Sequence, residues 1–318
     1  MSDSLKTSVR RPLGSTGLEC HPLGFGCYRV VEGNPTHEAA LRDYLQRGGM
    51  VDDFLIHKIT DEKYFLCINA SRREADLEWI EQNNRAGGSI RNISDETSQL
   101  ALQGPRSIAI LQPLVNIDLS AIRYYWFTRG EVLNIPCWVA RTGYTGEDGF
   151  ELYIPVGETG RLWNALLDAG KSEGLLPCGL GARNTLRLEA GMLLYGNDMN
   201  EDTTPLEVGL GWVTKIDKGE FLGRDVLERQ KRNGVPRQLA GFRMIDRAIA
   251  RDHAPVYKNG QLVGQVTSGS YVPYLKQNIG LASLPCELTK VGERIDVQIR
   301  GAMTAAEIVP TPFYRRAR

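Results

Sequence analysis

Apolar and polar positions repeat with two different periods along this chain, and the changes of period mark out its elements. Closely spaced apolar residues in "GGMVDDFLIHK" (48–58) and "YFLCINA" (64–70) flank the polar stretch Thr60–Lys63, which predicts two strands and a turn. A helix is predicted from Ser71 to about Asn83. "ISDETSQLALQGPRSIAILQPL" (93–114) reads as a strand, a Gly104-Pro105 stop and a further helix. In "ARTGYTGEDGFELYIP" (140–155) a glycine-rich, charged turn runs into strict alternation, with Phe150, Leu152 and Ile154 set against Glu151 and Tyr153. Helical spacing returns at about 157–173 and 182–195. After Pro236 the chain is nearly all short strands, with turn signals at "KNG" (258–260) and "VGE" (291–293), so a small antiparallel barrel or sandwich is expected. Upstream, 9–46 reads as a glycine-punctuated hairpin, a short strand and a helix capped by Thr36 and ended by Gly48-Gly49.

Length and charge narrow the function. A chain of 318 residues with 42% hydrophobic content has room for two or three domains and a substantial core. Lys+Arg and Asp+Glu balance at 38 each, so composition favours neither nucleic acid nor a membrane surface, and a small molecule or protein is the expected partner. No apolar run reaches the length of a membrane span, and the polar start lacks the apolar centre of a secretion signal. Six scattered cysteines without close ligand spacing read as reduced thiols of a cytoplasmic protein, with no metal expected.

Candidate chemistry gathers at three places. On a strand, Asp52 and Asp53 point to opposite faces and cannot act as a close dyad; a carboxylate among apolar neighbours is costly to bury, so one of them has either a function or a solvent-facing edge position. In the glycine-rich stretch, Gly143, Gly146 and Gly149 allow unusual backbone and close ligand approach, while Glu151 and Tyr153 share a face suited to an amide-bearing heterocycle. The plain alternative is a surface hairpin with Glu147 and Asp148 in water. At "CGLGARNTLRLEAG" (178–191), Arg183 lies in the first turn of a helix, where a cation opposes the helix dipole; anchoring an anionic ligand and bridging to a neighbouring element explain it equally well. "DMNEDTTPLEVG" (198–209) begins like a calcium loop but has Thr203 and Gly209 where glycine and glutamate are needed. The four histidines assemble no serine–histidine–acid set.

Taken together, "GGMVDDFLIHK", "YFLCINASRREADLEW", "LALQGP", "ARTGYTGEDGFELYIP", the run from "LPCGLGARN" to "GEFLGR" and "VGQVTSGSYVPYLKQNIGLASLP" resemble the T protein of the glycine cleavage system, in unbroken order over about 48–316. The resemblance implies an α+β, multidomain cloverleaf with a C-terminal antiparallel β-barrel, divided into a folate-binding region at 48–222 and a barrel domain at 236–316. It implies an aminomethyltransferase that takes the one-carbon unit from the lipoyl arm of H protein, releases ammonia and forms methylenetetrahydrofolate. Asp53 falls on the family's central catalytic position. Asn69, Tyr144, Glu151, Arg183 and Trp212 match folate-lining positions, with Glu151 expected to pair with the pterin edge. Cys67 occupies a usually aliphatic pocket position, and Tyr124 matches at a shifted spacing.

Residues 9–47 instead resemble the opening hairpin, first strand and first helix of an aldo-keto reductase, so the N-terminal segment is atypical and the family's usual N-terminal strands are expected to be absent. An open sheet edge, weakened folate binding and self-association are the expected results. Two other uses of the same fold stay open: folate-linked demethylation of a methylated amine, and folate binding with transfer lost. A reductase is the weakest alternative, because the catalytic segments of one have no counterpart.

Overall fold

The computed structural model describes residues 48–84 and 87–316, with three two-residue strands ahead of them: β1 Arg11–Pro12, β2 Glu19–Cys20 and β3 Gly24–Phe25. β1 and β2 pair antiparallel where the sequence predicts a hairpin. The helix predicted from Thr36, and otherwise the reductase-like stretch 9–47, lie outside the described residues. In chain order there follow β4 Leu55–Lys58, β5 Tyr64–Cys67, α1 Arg73–Gln82, β6 Thr97–Gln103, α2 Ser107–Leu111, β7 Phe127–Val132, β8 Ile135–Ala140, β9 Gly149–Pro155, α3 Thr159–Gly170, α4 Leu180–Glu189 and α5 Arg224–Asn233. Strands β10 Arg237–Met244, β11 Pro255–Lys258, β12 Gln261–Val272, β13 Gln277–Pro285, β14 Arg294–Ile299 and β15 Ala302–Val309 complete the chain.

The residues group into two units. One contains Leu55–Cys67 and Arg91–Gly179; the other contains 48–54, Ile68–Ile90 and everything from Leu180. In the first unit an antiparallel sheet runs in the order β6-β9-β8-β7. Leu100 and Leu102 of β6, and Phe150, Leu152 and Ile154 of β9, pack with Leu162 and Leu166 of α3 in one core. This is the apolar face that the alternation predicts. The opposite face of β9 is covered as well, because Tyr153 packs with Phe127, Phe65 and Ala140. The β7–β8 turn places Leu133 and Asn134 at φ 53° and 61°, the left-handed pair that matches the twist of a two-residue hairpin.

In the second unit the last six strands close into an antiparallel barrel, β10-β13-β12-β11-β14-β15, so the sequence's choice between barrel and sandwich resolves to the barrel. Its "KNG" turn has Asn259 and Gly260 at φ 51° and 77°, and Arg300 and Gly301 repeat the device between β14 and β15. Inward residues Phe242, Val256, Val266, Leu284, Val297 and Ile308 fill the barrel. The α+β class with a C-terminal antiparallel barrel is therefore as expected.

Two boundaries differ from the pattern reading. The helix expected to 195 stops at Glu189, because Gly191 turns left-handed at φ 65° and Met192 N–H bonds back to the Arg187 carbonyl. Strand β4 begins only at Leu55, which leaves Val51–Phe54 outside any strand.

Candidate functional site

The second unit holds Asp52 and Asp53 on an irregular segment anchored at its start. Met50 N–H donates to the Thr203 carbonyl at 3.1 Å, and the Tyr195 hydroxyl donates to the Met50 carbonyl at 2.8 Å. A Cβ on Gly49 would lie 1.5 Å from the Glu201 carbonyl oxygen, so only glycine permits this approach. Arg72, just ahead of α1, donates to the Val51 carbonyl at 3.3 Å and to Glu201 at 2.8 Å, with its guanidinium 5.2 Å from the centre of the Tyr195 ring.

Because the segment is not a strand, its two carboxylates are not separated by strand alternation. Both reach Asn69. Its amide Nδ2 donates to Asp52 Oδ1 at 2.8 Å and to the Asp53 carbonyl at 2.9 Å, with Asp53 Oδ1 at 3.4 Å, while Asp53 N–H donates to Asp52 Oδ1 at 2.9 Å. The expectation that the pair cannot act together is thus corrected: Asp52 is 1% exposed and forms the floor on which Asp53 is held. Burial, then the Asp52 charge, push Asp53 up to about 6, against opposing contributions from Asn69, its own backbone N–H and Arg183. A carboxyl with that affinity is mostly ionised at neutral pH and exchanges a proton readily there.

Arg183, the fourth residue of α4, is exposed, and its charge acts on Asp53. Trp212 is 62% exposed in a 3-10 turn of the same unit. Arg187 and Asp198 form a buried ion pair at 2.7 Å, extended by Ser268, Thr267 and Leu194 N–H. The first residue of the calcium-like stretch thus serves a structural pair. Among the described residues no group of three His, Cys, Asp or Glu is placed to hold a metal ion.

The first unit builds its own polar cluster. Glu151 is 8% exposed; Oε1 accepts from Gln99 Nε2 at 2.6 Å, and Oε2 accepts a short bond from the Thr142 hydroxyl. The Tyr153 hydroxyl lies 3.5 Å from Glu151 Oε2, which realises the shared face. Burial first, and then the Glu151 charge, push the Tyr153 phenol far above its ordinary range, so it stays a neutral donor. Cys67 Sγ lies 3.6 Å from Gln99 Oε1, which ties this sequence-predicted residue to the same cluster. Behind Tyr153, His57 is enclosed by the rings of Phe65, Phe127 and Tyr153 at 5.4, 4.8 and 5.4 Å, and burial pushes it down to about 4.

The glycines at 143–149 have a more local purpose than ligand approach. A Cβ at Gly143 would meet Gln103 Oε1 at 1.7 Å, and one at Gly149 would meet the Leu102 carbonyl at 2.7 Å; Gly146 turns at φ 77°. The Gln103 amide donates to the Thr142 carbonyl at 3.0 Å and holds the turn closed. Nor is Asp148 solvated, as the plain hairpin reading had it. It forms a two-point pair with Arg141 at 2.9 and 2.6 Å. Tyr144 lies half-buried in this turn, and Tyr124 packs edge-on against Tyr125 at 4.5 Å.

The pattern reading missed Gln99, Thr142, Arg72 and Asp76. Gln99 was accessible in principle, since it sits opposite Tyr153 in the β6–β9 register. Thr142 was accessible too, nine residues ahead of Glu151 in the same glycine-rich stretch, whereas Arg72 and Asp76 depend on contacts remote in sequence.

The family model described as GCVT N-terminal domain matches residues 44–218, and the one described as glycine cleavage T-protein C-terminal barrel domain matches 237–315. The chain belongs to the glycine cleavage T-protein family. An aminomethyltransferase of Desulfitobacterium hafniense is 48% identical over 272 residues, covering 85% of this chain and 74% of that one. One from a Geobacillus species is 47% identical over 273 residues, covering 85% and 75%. The crystal structure of glycine cleavage system aminomethyltransferase T from Bartonella henselae superposes with a TM-score of 0.78 at 28% identity, covering 92% of this chain and 76% of that one. As a T-protein family member this chain is an enzyme of the aminomethyltransferase type. Among the described residues no helix is long and apolar enough to cross a membrane.

Proposed function

We propose that the chain moves the aminomethyl carbon carried on the lipoyl sulfur of an H protein to tetrahydrofolate, with release of ammonia, in the cytoplasm. The observation that carries this reading is Asp53: a carboxyl pushed up to about 6 and held by Asn69 against the buried Asp52, in a chain of this family. The polar groups fit the acceptor. A reduced pterin presents N–H donors along one edge, and Glu151 is an acceptor-only carboxylate fixed by Gln99 and Thr142 with the Tyr153 ring beside it. Arg183 supplies a cation for the anionic tail, and Tyr144, Trp212, Tyr124 and Cys67 supply ring and thiol surface.

When bound, tetrahydrofolate supplies the two nitrogens that take the carbon, and their two hydrogens leave on the lipoyl sulfur and on ammonia. Asp53 holds and returns a proton at its carboxylate while these bonds exchange. Asn69 keeps that carboxylate oriented, and Asp52 keeps its proton affinity high. Residues 48–222 serve in this reading as the folate-binding region and 236–316 as the barrel domain. The test is calorimetric titration with tetrahydrofolate, followed by transfer from aminomethyl-lipoyl H protein. Binding with turnover is expected; turnover only with a methylated amine, or binding with no turnover, would replace this reading with one of its two rivals.

A further inference from the structure

Behind Asp53 lies a carboxyl that the proposed reaction does not use. Asp76, in the first turn of α1, is 1% exposed, as is Asp52. Asp52 Oδ1 is engaged by Asp53 N–H and Asn69 Nδ2, but Asp52 Oδ2 and both oxygens of Asp76 meet no nitrogen or hydroxyl donor. The two carboxyls are nonetheless within hydrogen-bond reach of each other. Two buried carboxylates without a donor between them repel strongly, and a single proton turns the same contact into a strong bond.

We propose that Asp76 holds a proton and donates it to Asp52, so that this buried carboxyl pair is the positioning element that fixes Asn69 and Asp53 for proton exchange. The groups facing the pair are Asp53, Arg72 and Tyr195, with Glu201 bonded to Arg72 and Arg183 acting on Asp53. Arg72 draws Asp76 down, but by less than burial and Asp52 push it up, and its Nη2 bonds to the Val51 carbonyl and Glu201 rather than to either carboxyl. The α1 dipole favours an ionised Asp76, but the effect of a helix terminus is small. Burial and the adjacent Asp52 outweigh that and push Asp76 up to about 8. When Asp76 loses its proton, a second negative charge appears beside Asp52, the contact opens, and the floor under Asp53 shifts.

The sign of the pH dependence follows from linkage. A carboxyl raised in the folded state stabilises most at low pH, and that contribution is lost as pH rises toward its folded value. His57, lowered to about 4, acts in the opposite sense below about pH 6.5, and Asp53 has titrated by about 6, so the interval from about pH 6.5 to 8 isolates Asp76. Thermal unfolding of the full chain should show a falling midpoint across that interval, and Asp76→Asn, whose amide can still donate to Asp52, should flatten it. In the unsubstituted protein, infrared spectroscopy should show a protonated-carboxyl band at neutral pH that fades over the same interval, whether or not the variant folds. In the transfer assay Asp76→Asn should remove the alkaline decline in rate and leave the KM for tetrahydrofolate unmoved, whereas Asp76→Leu, which removes the bond to Asp52, should lower kcat by about 2- to 10-fold, the equivalent of one hydrogen bond. The role assigned here rests on the proposed transfer, but unfolding and infrared do not, so failure of that reading would show in turnover alone. No protonated band at neutral pH, or equal slopes of the midpoint in the two proteins, would overturn the proposal.

Discussion

In the proposed reaction Asp53 carries a proton and Glu151 binds the folate, and substitutions should separate the two roles. Asp53→Asn keeps the volume and the contact with Asn69 but removes the proton carrier, so kcat should fall by about 10²–10⁴ with tetrahydrofolate affinity little changed. In the parent enzyme the rate should also decline as pH falls through about 6, where Asp53 becomes protonated, and stopped-flow transfer across pH will reveal that limb. Glu151→Gln should act on binding instead. A charged acceptor held by Gln99 and Thr142 is replaced by a neutral amide, and loss of a charge-assisted hydrogen bond costs about 1.5–3 kcal/mol in calorimetric titration. Affinity unchanged within error would make Glu151 a structural group of the sheet.

At the scale of elements, short segments are held in place by close backbone approaches. Gly49 runs against the Glu201 carbonyl, and the segment it begins carries both aspartates. Gly49→Ala cannot be absorbed by a side-chain rotation, since the atom it meets is backbone. It should lower stability by at least about 2 kcal/mol in urea titration and depress transfer through displacement of Asp53. His57 gives β4 a second signature. Buried neutral among three rings and lowered to about 4, it contributes stability that is present above about pH 6.5 and lost as pH falls through its folded value. His57→Phe should therefore reduce the loss of unfolding midpoint between about pH 6.5 and 4, which differential scanning calorimetry at a series of pH values will measure.

At the scale of the molecule, the Arg187–Asp198 pair ties α4, the loop after it and barrel strand β12 into one unit through Ser268 and Thr267. Arg187→Met alone strands a buried aspartate and should cost about 3–5 kcal/mol, whereas combining it with Asp198→Leu should recover much of that loss, since paired burial of charge is close to neutral overall. Urea midpoints of the two variants will decide it. The sequence by itself determined the periodic parts: the alternation of β9, the glycine-marked turns of the barrel, and through the ordered motifs the family and the candidate residues Asp53, Asn69 and Glu151. These are legible because side-chain periods of 2 and 3.6 and the need for positive φ are local properties of the backbone. Only the tertiary structure decided that Val51–Phe54 leave the strand pattern, that Asp52 is the buried support of Asp53, and that Gly143 and Gly149 make room for Gln103 and the backbone. It alone brought Asp76 of α1 to Asp52, because the proton affinity of a carboxyl depends on what surrounds it in space, and neighbours 24 positions apart leave no periodic trace.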